Sequence, residues 1–101
     1  MSRFGMIVKF TTKPGRRDAL VDILLNGAAS EQATTECEQY IVHVSDNEPD
    51  AVWVTEIWSS PEAHEASLAR EETKASIERA MPLIAGVEAT KLKPLGGKGL
   101  D

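Results

Sequence analysis

Phe4, Met6, Val8 and Phe10 alternate with Gly5, Ile7 and Lys9, the two-residue period of a β-strand. Past Pro14-Gly15 the period changes. From Arg16 onward Leu20, Ile23, Leu24, Gly27 and Ala28 recur at intervals of three and four, which predicts an amphipathic helix ending near Ala33. Glycine inside a helix costs roughly 1 kcal/mol against alanine, so Gly27 either permits close packing or marks a weak last turn. From Cys37 to Val44, Tyr40, Val42 and Val44 alternate with Gln39, Ile41 and His43, a second strand. Residues 51–58, Ala-Val-Trp-Val-Thr-Glu-Ile-Trp, are the most β-prone stretch, and the polar run Ser45–Asp50 between the two reads as a hairpin turn. Ser59-Ser60-Pro61-Glu62 opens a second helix: either Ser60 caps it with Pro61 at the first helical position, or Ser59 and Glu62 form a capping box. Ala63, Ala66, Ala69, Thr73, Ile77 and Ala80 keep helical spacing through the charged stretch Arg70–Lys74, the place for a kink, and Pro82 ends the helix. Gly86–Leu92 is a short last strand, and residues 94–101 form a tail.

The order β-α-β-β-α-β predicts an α+β, ferredoxin-like single domain over residues 1–101, a four-stranded antiparallel sheet with two helices on one face. Met6, Val8, Val54 and Trp58 share the strand parity expected to face the helices. Ile7, Ile41, Trp53 and Ile57 lie on the opposite parity, so a second apolar face needs a cover. A twofold partner presenting the same surface is the simplest one, which predicts a homodimer packed sheet to sheet.

Composition narrows the chemistry. A chain of 101 residues with 42% hydrophobic content has one modest core, and a net charge of -5 without a basic run argues against nucleic acid and for a neutral organic ligand. Apolar stretches fall far short of the ~20 residues that span a bilayer, and Met1-Ser2-Arg3-Phe4 leads directly into a strand, so a cytoplasmic, membrane-free protein is expected. The lone Cys37 cannot form an internal disulfide. Asp46, Glu48 and Asp50 alternate like a calcium loop, but Ala51 and Ile57 stand where that loop needs Gly and Glu. Cys37, His43 and His64 lack metal-ligand spacing, and Gly96-Gly97-Lys98-Gly99 lacks the phosphate-loop pattern. A dinucleotide fingerprint is also missing, so neither a metal nor a cofactor is expected.

Lys13-Pro14-Gly15 before the first helix, Glu56-Ile57-Trp58 closing the third strand and Pro61-Glu62-Ala63 opening the second helix, in this topology, resemble the antibiotic biosynthesis monooxygenase family over nearly the whole chain. The resemblance implies dimeric α+β barrels with a pocket between sheet and helices. It also implies one of several activities: oxidation of phenols or quinols by O₂ without metal or flavin, haem degradation, or isomerisation of small molecules. Many relatives carry a histidine and a Ser-Pro-His-Phe run in the second helix, where this chain has Ser67 and Arg70-Glu71-Glu72-Thr73. Thr35-Glu36 replaces the family's Pro-Gly before the second-strand cysteine. Met6-Ile7-Val8 and Ile77-Glu78-Arg79 lack the asparagine and histidine of haem-degrading relatives, which argues against haem chemistry.

The resemblance sets Trp58 against a substrate pocket, where an indole can stack on an aromatic ring and donate through its N–H; the plain reading is a core tryptophan. His64, one turn into the second helix, titrates near neutrality and suits proton transfer, unless it is an exposed helix residue. Glu56, between Val54 and Trp58, is either a proton acceptor with a raised pKa or the ion-pair partner of an arginine such as Arg79. These three are the expected catalytic residues, with Met6, Val8, Tyr40, Val54, Ser67 and Leu68 lining the substrate site. His43 is expected at the interface or in solvent. The chain is thus expected to be a cofactor-independent monooxygenase acting on a small aromatic or quinol compound. The alternatives are a non-redox isomerase of a small carbonyl compound and a non-catalytic ligand-binding dimer.

Overall fold

The computed structural model describes residues 3–31 and 36–100. Strand β1 (Phe4–Thr12) is followed by helix α1 (Arg17–Glu31), the strands β2 (Cys37–Ser45) and β3 (Glu48–Trp58), helices α2 (Pro61–Leu68) and α3 (Glu71–Ala80), a 3₁₀ turn over Met81–Leu83, and β4 (Ile84–Leu92). The strands form one antiparallel sheet in the order β2-β3-β1-β4, the ferredoxin-like arrangement that the alternating pattern predicts.

Local chemistry sets the boundaries. Gly15, at φ 76°, takes the left-handed conformation that glycine alone adopts without strain, and the turn it makes is closed by the Arg16 N–H donating to the Lys13 carbonyl at 3.1 Å. The expected end of the first helix near Ala33 lies outside the described residues. The β2-β3 hairpin is tighter than the polar run Ser45–Asp50 predicts: Ser45 pairs with Glu48, leaving Asp46 and Asn47 as the turn, and the Asn47 N–H donates to the Ser45 hydroxyl at 3.2 Å. Ser60, in extended conformation, caps α2 by accepting from the Ala63 N–H at 3.1 Å with Pro61 in the first turn, so the first of the two capping readings holds.

The long second helix is two helices. Ala69 and Arg70 donate to the carbonyls three residues back, at 3.2 Å each, and Arg70 then takes an extended conformation (ψ 144°) before the chain turns helical again at Glu71. The break falls at the edge of the charged stretch, where Glu71 and Glu72 suit the positive end of a new helix. Pro82 lies within the 3₁₀ turn, and β4 begins at Ile84, two residues before the expected Gly86.

Leu20 of α1, Val52 of β3 and Ala80 of α3 are buried against Phe10, Val42 and Ile84. Trp58 is buried as well, and the sheet and the helices leave between them a cavity whose lining runs from Trp58 to Leu20 and Ala80. Among the described residues the opposite sheet face has no cover over most of its area: Ile7 is 40% and Ile41 45% exposed, with Trp53 and Ile57 half-buried. Beyond β4 the tail turns back onto the Gly5 end of this face, where a Cβ on Gly5 would lie 3.0 Å from Pro94 Cγ. A side chain there would require Pro94 to shift by a few tenths of an ångström.

Candidate active site

The space between the sheet and the helices is a cavity of about 370 Å³. Its floor comes from the helix-facing parity of the strands, Met6, Val8, Tyr40, Glu56 and Trp58 among them, and its roof from α1 through Leu24 and Gly27 and from α2 and α3. Gly27 settles neither as close packing nor as a helix end: a Cβ there meets nothing within 4 Å, because the residue faces the cavity.

Three side chains converge on this floor. Glu56 and Trp58, two apart on β3, point the same way, and Trp58 Nε1–H donates to Glu56 Oε1 at 3.0 Å. Trp58 is 2% exposed, so the bond forms away from bulk water. The cap at Ser60 sets the start of α2 so that His64 reaches back over the sheet, placing its Nε2 3.9 Å from the same Glu56 oxygen. The imidazole lies against the Phe4 ring (centroids 4.9 Å, 31°) and edge-on to Trp58 (5.6 Å, 70°). The Ser67 hydroxyl, buried, donates to the His64 carbonyl at 2.6 Å and tightens the helix turn that carries the histidine.

Electrostatics follow from burial. Loss of water pushes the Glu56 carboxyl up from its ordinary value, and the Trp58 hydrogen bond offsets part of that rise by favouring the charged form. The 3.9 Å separation from His64 exceeds a hydrogen bond and is within ion-pair range when the imidazole is protonated. A ligand oxygen about 2.8 Å from each group closes a triangle on that edge. The charged lining of the cavity is acidic, Glu56 within and Glu72 at the lip, and includes no Lys or Arg among the described residues. Such a chamber disfavours anions and receives uncharged, largely apolar ligands.

Of the residues singled out in the sequence, Glu56, Trp58, His64, Met6, Val8, Tyr40, Ser67 and Leu68 all line the cavity. Val54 does not line it, although it is buried, at 1% exposed. Of the two readings of Glu56, the ion pair with an arginine such as Arg79 does not form: the Arg79 guanidinium reaches the Ser76 hydroxyl at 3.4 Å while the carboxylate takes the indole N–H. His64 is not an exposed helix residue, its side chain being only 12% accessible. His43 is on the other sheet face, exposed and 3.2 Å from the Thr55 hydroxyl. The sequence reading missed Phe4 as the ring against His64, although Phe4 shares the parity of Met6 and could have been found from it. It also missed the hydroxyl pair Thr73 and Ser76 in the roof. Among the described residues no group of three or more His, Cys, Asp and Glu side chains is placed to hold a metal.

No described helix is long and apolar enough to cross a membrane. A search of curated proteins gave no match. Among solved structures, a Chloroflexus aurantiacus J-10-fl protein that bears the antibiotic biosynthesis monooxygenase description is 42% identical, with a TM-score of 0.90 over 99% of this chain and 100% of its own. A Caulobacter crescentus CB15 protein with the same description is 21% identical (TM-score 0.87, 94% and 92% covered). A Pseudomonas aeruginosa protein is 23% identical (TM-score 0.85, 95% and 97% covered) and shares the fold. The antibiotic biosynthesis monooxygenase sequence profile matches residues 3–79, and the chain belongs to that family.

Proposed function

We propose that the chain is a monooxygenase that oxidises a small phenolic or quinol compound with O₂ and draws its reducing electrons from the substrate itself. One observation carries this reading: a buried carboxyl of raised pKa, 3.9 Å from an imidazole, on the floor of an otherwise apolar cavity. Glu56 and His64 take the proton of the ligand hydroxyl. The resulting phenolate gives one electron to O₂. Superoxide and the ligand radical then combine at a ring carbon bearing hydrogen, forming a C–O bond. Loss of that carbon's proton and cleavage of the O–O bond release water and leave a carbonyl, so one oxygen atom enters the product and the other leaves as water. Trp58 holds the carboxylate in place and offers a flat face to the ring, and the apolar walls keep water from the intermediates. The same reading covers the open sheet face with a second copy of the chain, through Ile7, Ile41, Trp53 and Ile57.

Oxygen consumption by chelator-treated protein with a panel of hydroquinones tests the proposal. Consumption above autoxidation is expected, falling about a hundredfold in His64→Ala, the usual size of a lost proton-transfer group. Turnover of a carbonyl substrate without oxygen would instead favour an isomerase, since the same proton pair can move hydrogen between adjacent carbons.

A further inference from the structure

The inward stripe of α3 is chemically odd. Thr73, Ser76, Ile77 and Ala80 recur at the three- and four-residue spacing of one helix face, and all four line the cavity. A helix face turned onto a packed core carries aliphatic side chains, because an inward hydroxyl must be paired or cost free energy. Here two of the four are hydroxyls, each half-buried, in a chamber whose walls are otherwise mostly apolar. Ser76 Oγ already accepts from the Arg79 guanidinium at 3.4 Å, which orients its hydroxyl hydrogen as a remaining donor. The proton-transfer groups, Glu56 and His64, belong to β3 and α2; Thr73 and Ser76 come from α3, beyond the break at Arg70. The cavity therefore has two polar poles carried by separate elements.

We infer that Thr73 and Ser76 are the second anchor of the site, holding the far oxygen of a ligand whose first hydroxyl sits on Glu56 and His64, so that the site selects compounds with two oxygen-bearing ends over those with one. The inference rests on the proposed function for its ligand class. The two poles differ in kind. Glu56 and His64 take a proton, whereas two aliphatic hydroxyls donate and accept hydrogen bonds without ionising near neutrality. Thr73 and Ser76 are positioning residues: they fix which ring edge faces the proton pair and leave the chemistry to it.

The test is anaerobic calorimetric titration of the chelator-treated protein with naphthohydroquinone and with its monohydroxy counterpart, alpha-naphthol, for the wild type and Thr73→Val/Ser76→Ala. A net hydrogen bond contributes about 0.5–1.5 kcal/mol, so the wild type is expected to bind the diol about two- to tenfold more tightly than naphthol. The double variant is expected to bring that ratio to about one while leaving naphthol affinity unchanged, a result that a generally loosened cavity would not give. Equal binding of the two ligands by the wild type, or an unchanged ratio in the double variant, overturns the second anchor and leaves the proposed oxygenation standing. Failure of the wild type to bind either ligand overturns both.

Discussion

A carboxyl buried beside an indole and an imidazole holds its proton more tightly in the folded chain than in the unfolded one, and that difference reaches stability. The folded pKa of Glu56 is raised, so its contribution is fully present below the ordinary carboxylate range and is lost as pH climbs through the folded value. Gln cannot ionise. Glu56→Gln is therefore expected to melt like the wild type near pH ~3 and above it near pH ~8, while losing turnover at both. Thermal melts at the two pH values check this, and a stability difference of the same size at each would contradict it. Glu56, Trp58 and His64 were legible as residues: strand parity put the first two on one face, and the Ser60-Pro61 start fixed the third. Their partners were less so. Arg79 was the charge nearest in kind, yet the indole two residues away met the carboxylate, because neighbouring same-face side chains on a strand need no tertiary coincidence to touch.

The elements trade packing for space. α1 buries Leu20 completely at one end and presents Gly27, with nothing within 4 Å of a Cβ, at the other. Gly27→Ala is accordingly expected to stabilise the chain by up to about 1 kcal/mol in chemical denaturation, through helix propensity alone, and to weaken binding of ligands that fill the cavity. Destabilisation would show that the helix is packed there after all. The existence and order of the strands and of α1 could be read from periodicity, since a period of two and a period of 3.6 survive in the side chains themselves. The division of the second helix was half-visible. The spacing of Ala63, Ala66, Ala69, Thr73, Ile77 and Ala80 continues across the break, and what interrupts it is backbone hydrogen bonding three residues back at Ala69 and Arg70, which leaves little mark in side-chain pattern. For the same reason Thr73 and Ser76 read as a polar interruption of a core stripe until the cavity beneath them is seen.

At the scale of the molecule, a four-stranded sheet with helices on one side leaves apolar side chains exposed on its other face. Full burial of a single isoleucine contributes about 1.5–3 kcal/mol, and the open face offers Ile7, Ile41 and Ile57 around Trp53. Lys9 Nζ lies 5.4 Å from the Trp53 ring and 2.9 Å from Glu48, so the indole is framed by charge at one edge. If a second copy covers this face, Trp53→Asp is expected to sediment as monomer or unfolded chain; a well-folded dimer in that variant would contradict the interface. The ferredoxin-like architecture followed from the order of the elements, whereas the family and the pocket between sheet and helices came from the resemblance, because a cavity is an absence of contacts that no local pattern records. The central claim is that this cavity oxygenates its ligand with electrons from the ligand itself. Its most direct test is mass spectrometry of the product formed by chelator-treated protein under isotopically labelled O₂. One labelled oxygen atom per product molecule, with product formation lost in His64→Ala, is the predicted result; unlabelled product, or labelling that persists unchanged in His64→Ala, would contradict it.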